Sequence, residues 1–244
     1  MGKLENQVAL VTGGSRGIGL AIARAFTAEG ATVAITYHPS ESSPQQLKAD
    51  DVIDWFAPME AANPESVREA CATVIERYGR VDVLVANAGY AEITNVPELS
   101  IEQFDRMIAV HLRAPFLCIQ AVLPGMVERG QGKIITIGSQ IAYIGAVGLA
   151  HYTAAKAGII GFTRSLAREV IGDGINVNCI APGAIATGIL PSTPEDDAEI
   201  LRGIPAGHFG KPEDIAPTAV LLASRDGDFY VGQVLSPNGG EVML

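Results

Sequence analysis

Short apolar runs rich in β-branched residues alternate along the whole chain with segments whose apolar positions recur every three to four residues. The runs Val8–Val11, Thr32–Thr36, Val52–Pro58, Val81–Ala86, Ile134–Ile137, Ile175–Ile180 and Val231–Ser236 read as strands. Between them lie amphipathic helices. After Asn63-Pro64, apolar residues fall at Val67, Ala70, Cys71, Val74, Ile75 and Tyr78, with Asn63 as N-cap and Pro64 in the first turn. Ser100 and Gln103 form a capping box that opens a long helix through Phe104, Met107, Ile108 and Leu112. Strand and helix signals alternating in this way predict βαβ units and a doubly wound, parallel, seven-stranded sheet with helices on both faces. The stretch 183–209 lacks clear periodicity, and its proline turns and acidic Glu195-Asp196-Asp197 cluster predict a substrate lid. Neither a repeat nor a domain boundary is visible, so residues 1–244 read as a single domain.

Composition narrows the partners. The hydrophobic fraction of 48% is ample for one core, and 17 Lys+Arg against 27 Asp+Glu leave a net charge of −10. Such a chain repels the phosphates of nucleic acids and of anionic lipid surfaces, so neither is an expected partner. Cys71, Cys118 and Cys179 are widely spaced, which writes neither a disulfide framework nor a CxxC site and suggests a reducing compartment. The N-terminus fits no signal peptide and no stretch approaches the ~18 apolar residues of a membrane span, so a cytoplasmic protein is expected. His38, His111, His151 and His208 are scattered without ligand spacing, and no metal is expected.

The first candidate chemistry follows the first strand. Thr12-Gly13-Gly14-Ser15-Arg16-Gly17-Ile18-Gly19 passes at once into helical periodicity at Ile18, Ile22 and Phe26. A strand, a glycine turn and a helix N-terminus make an anion site, because free N–H groups and the positive helix end face the phosphates. Gly13, Ser15, Arg16, Gly17, Ile18 and Gly19 are therefore candidate dinucleotide contacts on a Rossmann-type fold.

This GxxxGxG spacing with Thr12 resembles the short-chain dehydrogenase/reductase family, and the resemblance runs across nearly the whole chain. Ala86-Asn87-Ala88-Gly89 is similar to the family's NNAG motif, with Ala86 in place of its first Asn. Tyr152 and Lys156 match YxxxK, with Ser139 thirteen residues ahead, and Pro182-Gly183 matches the motif after the sixth strand. The stretch Gly207–Asp214 looks closest to the 3-oxoacyl-carrier-protein reductase branch. The resemblance implies a nicotinamide cofactor lying along Asn87, Ala88, Gly89, Pro182, Gly183, Ile185 and Thr187, with Lys156 and Tyr152 at its ribose, and a homotetramer. One departure is His111, where many members carry an Asn that holds a water connecting the lysine to solvent. Histidine can donate and accept, so His111 is a candidate relay whose ordinary pKa near 6.5 would add a pH dependence; the alternative is a helix histidine satisfied by backbone or solvent.

The residues argue the chemistry independently. Tyr152 and Lys156 are four apart on one helix face, and Ser139 closes the fifth strand, at the carboxyl end where such sheets bind ligands. A Lys156 ammonium ~4 Å from the phenol oxygen would favour the tyrosinate by about 4 kcal/mol, enough to bring Tyr152 near neutrality. Tyr152 then exchanges the hydroxyl proton, Ser139 binds the substrate oxygen, and hydride passes between nicotinamide and a ketone or secondary alcohol.

The end of the second strand, Thr36-Tyr37-His38-Pro39-Ser40, carries no acid to bind a ribose 2′-hydroxyl. NADP(H) is therefore expected ahead of NAD(H), with Arg16 resembling the basic residue of NADP-preferring members, Tyr37, His38 and Ser40 nearby, and Glu60 at the adenine. Arg113 and Arg129 are candidate docking charges for an acidic carrier protein, but Asp173 and Glu195–Asp197 oppose it, so a free small-molecule ketone or alcohol is favoured. The alternatives are a 3-oxoacyl-carrier-protein reductase, an NAD-dependent sugar or hydroxysteroid dehydrogenase, and a non-catalytic nucleotide-binding regulator, which would have no use for Ser139, Tyr152 and Lys156 together.

Overall fold

The computed structural model describes residues 2–189 and 193–243; the part of the expected lid at 190–192 lies outside them. Strands β1 (Val8–Val11), β2 (Thr32–Tyr37), β3 (Trp55–Pro58), β4 (Val83–Ala86), β5 (Gly132–Ile137), β6 (Ile175–Ile180) and β7 (Val234–Leu235) form one sheet in the order β3-β2-β1-β4-β5-β6-β7. Every pairing is parallel. The chain winds outward from β1 in one direction and then from β4 in the other, so the crevice above the carboxyl ends of these two strands is the switch point where such sheets bind ligands.

Helices cover both faces because successive strand side chains point to opposite sides. Leu10, Leu84 and Ile134 pack with α3 (Pro64–Tyr78), α5 (Ala114–Arg129) and α7 (Ala150–Val170). Ala9, Val11, Val83 and Ile135 pack with α1 (Gly17–Ala28) and with Ile215, Ala219 and Leu222 of a helix near the C-terminus. The doubly wound reading therefore holds, with the strand boundaries shifted by a few residues. The fourth strand starts at Val83 rather than Val81, because Asp82 uses its carboxylate to accept the Val8 N–H at 2.8 Å and to pair with Arg80 at 2.9 Å. Asn63 accepts the N–H groups of Glu65 and Ser66, as the sequence requires of a cap.

The helix from the Ser100 capping box is not uniform. It runs as α4 (Ile101–Ile108), passes through a π-helical turn at Ala109–Arg113, and continues as α5. Pro115 accounts for the wide turn, since it has no N–H to donate and its ring would meet the carbonyl four residues back, at His111. Contrary to the expectation that no segment is long and apolar enough, Ile101–Arg129 has the length and hydropathy of a membrane span. More than half of its most apolar window is buried, as in the core helix of a globular domain. The remaining helices are α2 (Gln45–Ala49), α6 (Ile141–Ile144), α8 (Pro194–Gly203) and α9 (Pro212–Ala223), the last packed on α1. The three cysteines are buried and free, and no metal-holding cluster exists among the described residues.

Candidate active site

At the switch point two loops lock together. Thr12 Oγ1 accepts the N–H groups of Asn87 and Ala88, both at 3.0 Å, while the Asn87 amide donates to the carbonyls of Thr12 at 2.9 Å and Gly13 at 3.0 Å. Gly13 has φ +62°, and a Cβ there would lie 2.8 Å from the Ala88 Cα, so only glycine permits this approach. Asn87, expected as a cofactor contact, thus spends its amide on shaping the turn. The first turn of α1 contains no acidic residue, which leaves its free N–H groups and positive end open to an anion.

Beyond the turn the chain reverses after β2. His38 sits 2.7 Å from a Glu60 carboxylate oxygen and 2.7 Å from Ser40 Oγ. The reversal also returns Glu41 to the glycine turn, where it accepts from Ser15 Oγ at 2.5 Å and from Arg16 Nε at 2.9 Å. An acid thus reaches this end despite its absence at the end of the strand. Burial raises the Glu41 carboxyl, but the hydrogen bonds from Ser15 and Arg16 and the guanidinium charge together hold it below the usual carboxylate range. Glu60 is likewise held low, burial being outweighed by the Ala62 N–H and by His38.

The candidate catalytic groups come from β5, α7 and the π-helical turn. Ser139 follows β5, accepts the Ile141 N–H on its Oγ at 3.2 Å, and faces Tyr152 across the cleft. Lys156, on the same face of α7, places its Nζ 5.6 Å from the Tyr152 ring centre and donates to the Ile137 carbonyl at 2.7 Å. This corrects the expectation that Lys156 brings Tyr152 near neutrality. Burial pushes the phenol up to about 12, offset only in part by Ser139, because the ammonium faces a carbonyl and the ring rather than the phenol oxygen. Lys156 itself is lowered to about 8 by burial.

His111 stands edge-on to Tyr152, with ring centres 5.2 Å apart. Its Nε2 lies 2.7 Å from the Tyr90 carbonyl, an acceptor only, so that nitrogen carries the proton and Nδ1 is left without a partner. The imidazole is fully buried, and desolvation together with the neighbouring Lys156 charge pushes it well below its ordinary pKa. The expected titration near neutrality is therefore absent, and the contact to backbone is the alternative named for a helix histidine. Gly89 makes room for this ring, since a Cβ there would lie 2.5 Å from His111 Cε1.

All these parts line one cleft of about 1130 Å³, larger than the roughly 300–1000 Å³ typical of a single small-molecule pocket. Gly13, Ser15, Arg16, Gly17, Ile18, Gly19, Tyr37, His38, Glu60, Asn87, Ala88 and Gly89 line one side and end of it. His111, Ser139, Tyr152, Lys156, Pro182, Gly183, Ile185 and Thr187 line the rest, so the residues expected to act on the substrate or hold the cofactor converge here. The glycine turn, the free α1 N-terminus and the volume of the cleft fit a dinucleotide. Arg113 and Arg129, proposed as docking charges, instead donate to the backbone carbonyls of Ala62 and Val81. Glu92 and Glu241 line the cleft without having been foreseen, beside Gln140 at the start of the 140–150 segment expected to read the substrate. The Gln140 amide donates to the Glu241 carboxylate across 101 residues of chain, a contact with no local signal.

A family model described as Enoyl-(Acyl carrier protein) reductase matches residues 13–241. The chain is 40% identical to the 3-oxoacyl-[acyl-carrier-protein] reductase FabG of Vibrio cholerae, over 99% of each chain. It is 35% identical to the enzyme of the same name from Thermotoga maritima, covering 99% of this chain and all of that one. Among solved structures it resembles a blue fluorescent protein from a metagenomic library in complex with NADPH, at TM-score 0.92 and 37% identity over 99% of this chain and 100% of that chain. A double mutant of a Serratia marcescens short-chain dehydrogenase/reductase superposes at TM-score 0.90 with 32% identity, covering 98% and 99% of the two chains.

Proposed function

The chain belongs to the short-chain dehydrogenase/reductase family, and from that premise we infer that it is an NADP(H)-dependent oxidoreductase acting on a small ketone or secondary alcohol. The observation that carries the reading is the meeting of Ser139, Tyr152 and Lys156 with the glycine turn in one cleft. A nicotinamide dinucleotide would be held by the turn from Gly13 to Gly19, by Ala88 and Gly89, by Lys156 and Tyr152 at the ribose, and by Pro182, Gly183, Ile185 and Thr187 at the far end. When bound, it supplies or accepts the hydride. The rest of the chemistry belongs to the chain. With its phenol raised to about 12, Tyr152 keeps its proton at neutral pH and is set to give it to a carbonyl oxygen becoming an alkoxide. Ser139, in the same cleft, offers a second donor to that oxygen. Lys156 holds positive charge beneath the phenol, and His111, neutral and tied to Tyr90, packs the ring from the side.

The substrate side of the cleft carries Glu92, Asp197 and Glu241, which disfavours an acidic carrier protein. The second reading, a 3-oxoacyl-carrier-protein reductase, is favoured by the names of the relatives at 35–40% identity. Turnover of acetoacetyl-carrier protein against small ketones separates the two. Residues 183–209 act as the substrate lid in this reading, with Asp197 and Ile200 of α8 at the cleft and the Ile185–Gly210 bridge at its base. A homo-oligomer, expected to be a tetramer, covers the exposed Ile101, Phe104 and Val127; light scattering at monomer mass would overturn that assignment.

The mechanism is tested with Tyr152→Phe. Turnover should fall by about 10²–10⁴, while NADPH binding, followed by its fluorescence, stays within a few-fold of wild type. Near-normal turnover in that variant would sink the assignment.

A further inference from the structure

Two donors of the glycine turn already hold an anion. Ser15 Oγ donates to one oxygen of the Glu41 carboxylate at 2.5 Å, and Arg16 Nε donates to the other at 2.9 Å. A carboxylate with one oxygen on each of two adjacent donors makes the same demand on them as a phosphate. The other basic group at this end is engaged as well, since His38 Nε2 lies 2.7 Å from Glu60. Glu41 sits between β2 and α2 in a segment that belongs to neither, and its side chain is 28% exposed against 57% for Arg16. The pair can therefore open toward solvent without unpacking the core.

We propose that Glu41 is an internal competitor for the 2′-phosphate of NADP(H): Ser15 and Arg16 bind that phosphate only after the carboxylate has left them, and Glu41 thereby sets the preference between NADP(H) and NAD(H). The inference rests on the NADP(H) reading above and adds to it the residue that limits selectivity. NAD(H), lacking the phosphate, requires no displacement, so Glu41 narrows the gap between the two cofactors. Even after leaving the donors, the carboxylate remains close. At about 6 Å in water-like surroundings, its repulsion of a dianionic phosphate corresponds to about tenfold in affinity.

Adenosine 2′,5′-bisphosphate and adenosine 5′-monophosphate differ only in the 2′-phosphate, and calorimetric titration of both reads the site without turnover. In Glu41→Gln the bisphosphate should bind about tenfold tighter while the monophosphate stays within about twofold. Unchanged or weaker bisphosphate binding, or equal tightening of both ligands, overturns the proposal. Arg16→Ala separates this from the cofactor reading. If that variant loses the preference for the bisphosphate while Glu41→Gln alters nothing, only the role of Glu41 falls. If it keeps the preference in full, Arg16 does not bind the phosphate, and the basis for NADP(H) at this end falls with it.

Discussion

Replacing Lys156 by Met should abolish efficient turnover and, at neutral pH, leave a protein at least as stable as the parent. Lys156 is 5% exposed, and burial lowers its ammonium from 10.5 to about 8. Between those two values the unfolded chain binds a proton that the folded chain has released, so stability rises with pH across the window. The rise amounts to about 3 kcal/mol. Below pH 8 the folded protein bears the full cost of a desolvated charge, and above 10.5 it bears none. Met keeps the length of the side chain and removes the charge, at the expense of the hydrogen bond to the Ile137 carbonyl, a loss of about 1–3 kcal/mol. The net change at pH 7 is therefore a gain of about 0–2 kcal/mol. The pH dependence is the sharper readout, because titrating groups that do not interact with Lys156 cancel between parent and variant, and His111, which does, is neutral across this range. Cys179 does not cancel, since its thiol interacts with Lys156, so both proteins are compared in a Cys179→Ala background. Urea unfolding at pH 7 and pH 10.5 should show the parent gaining about 3 kcal/mol on the variant. A constant difference across that range would refute the claim that Lys156 is held desolvated.

His111→Ala should change the amplitude of the kcat/KM pH profile but remove no ionisation between pH 6 and 8, because burial keeps the imidazole neutral there. Loss of an inflection near pH 6.5 in that variant would show that the ring titrates. Gly89→Ala drives a methyl into the same ring and should cost about 1–3 kcal/mol by urea unfolding. Most of that cost should vanish in the Gly89→Ala, His111→Ala double variant, and strict additivity would mean that the two positions do not press on each other.

The parts of the site readable in the sequence were those fixed by local rules. Strand, glycine turn and helix follow one another within residues 8–28, and the four-residue spacing of Tyr152 and Lys156 needs only a helix to align them. What stayed hidden depends on how loops fold and on how deeply groups are buried. No acid stands at the end of β2, yet the following reversal carries Glu41 back onto Ser15 and Arg16. Electrostatic reasoning placed Lys156 against the phenol oxygen, whereas the Ile137 carbonyl captures the ammonium and burial moves Tyr152 the other way. The apolar spacing from Phe104 to Leu112 reads as plain α-helix, and it carries no sign of the wide turn that Pro115, just beyond it, imposes on Ala109–Arg113.

That interrupted helix has a consequence for phase. Each α-helical residue advances the side-chain direction by about 100°, and a turn holding one surplus residue leaves the segments on either side out of step. The segment before the slip turns toward α7, and the segment after it toward α3, so a single rod changes neighbours midway without a connecting loop. Deleting one residue from Ala109–Arg113 would shorten the rod by little, yet it would rotate one half against its packing partner and swing His111 away from Tyr152. A one-residue gap at this position in a related sequence is therefore a change of helical register with the active site at its pivot.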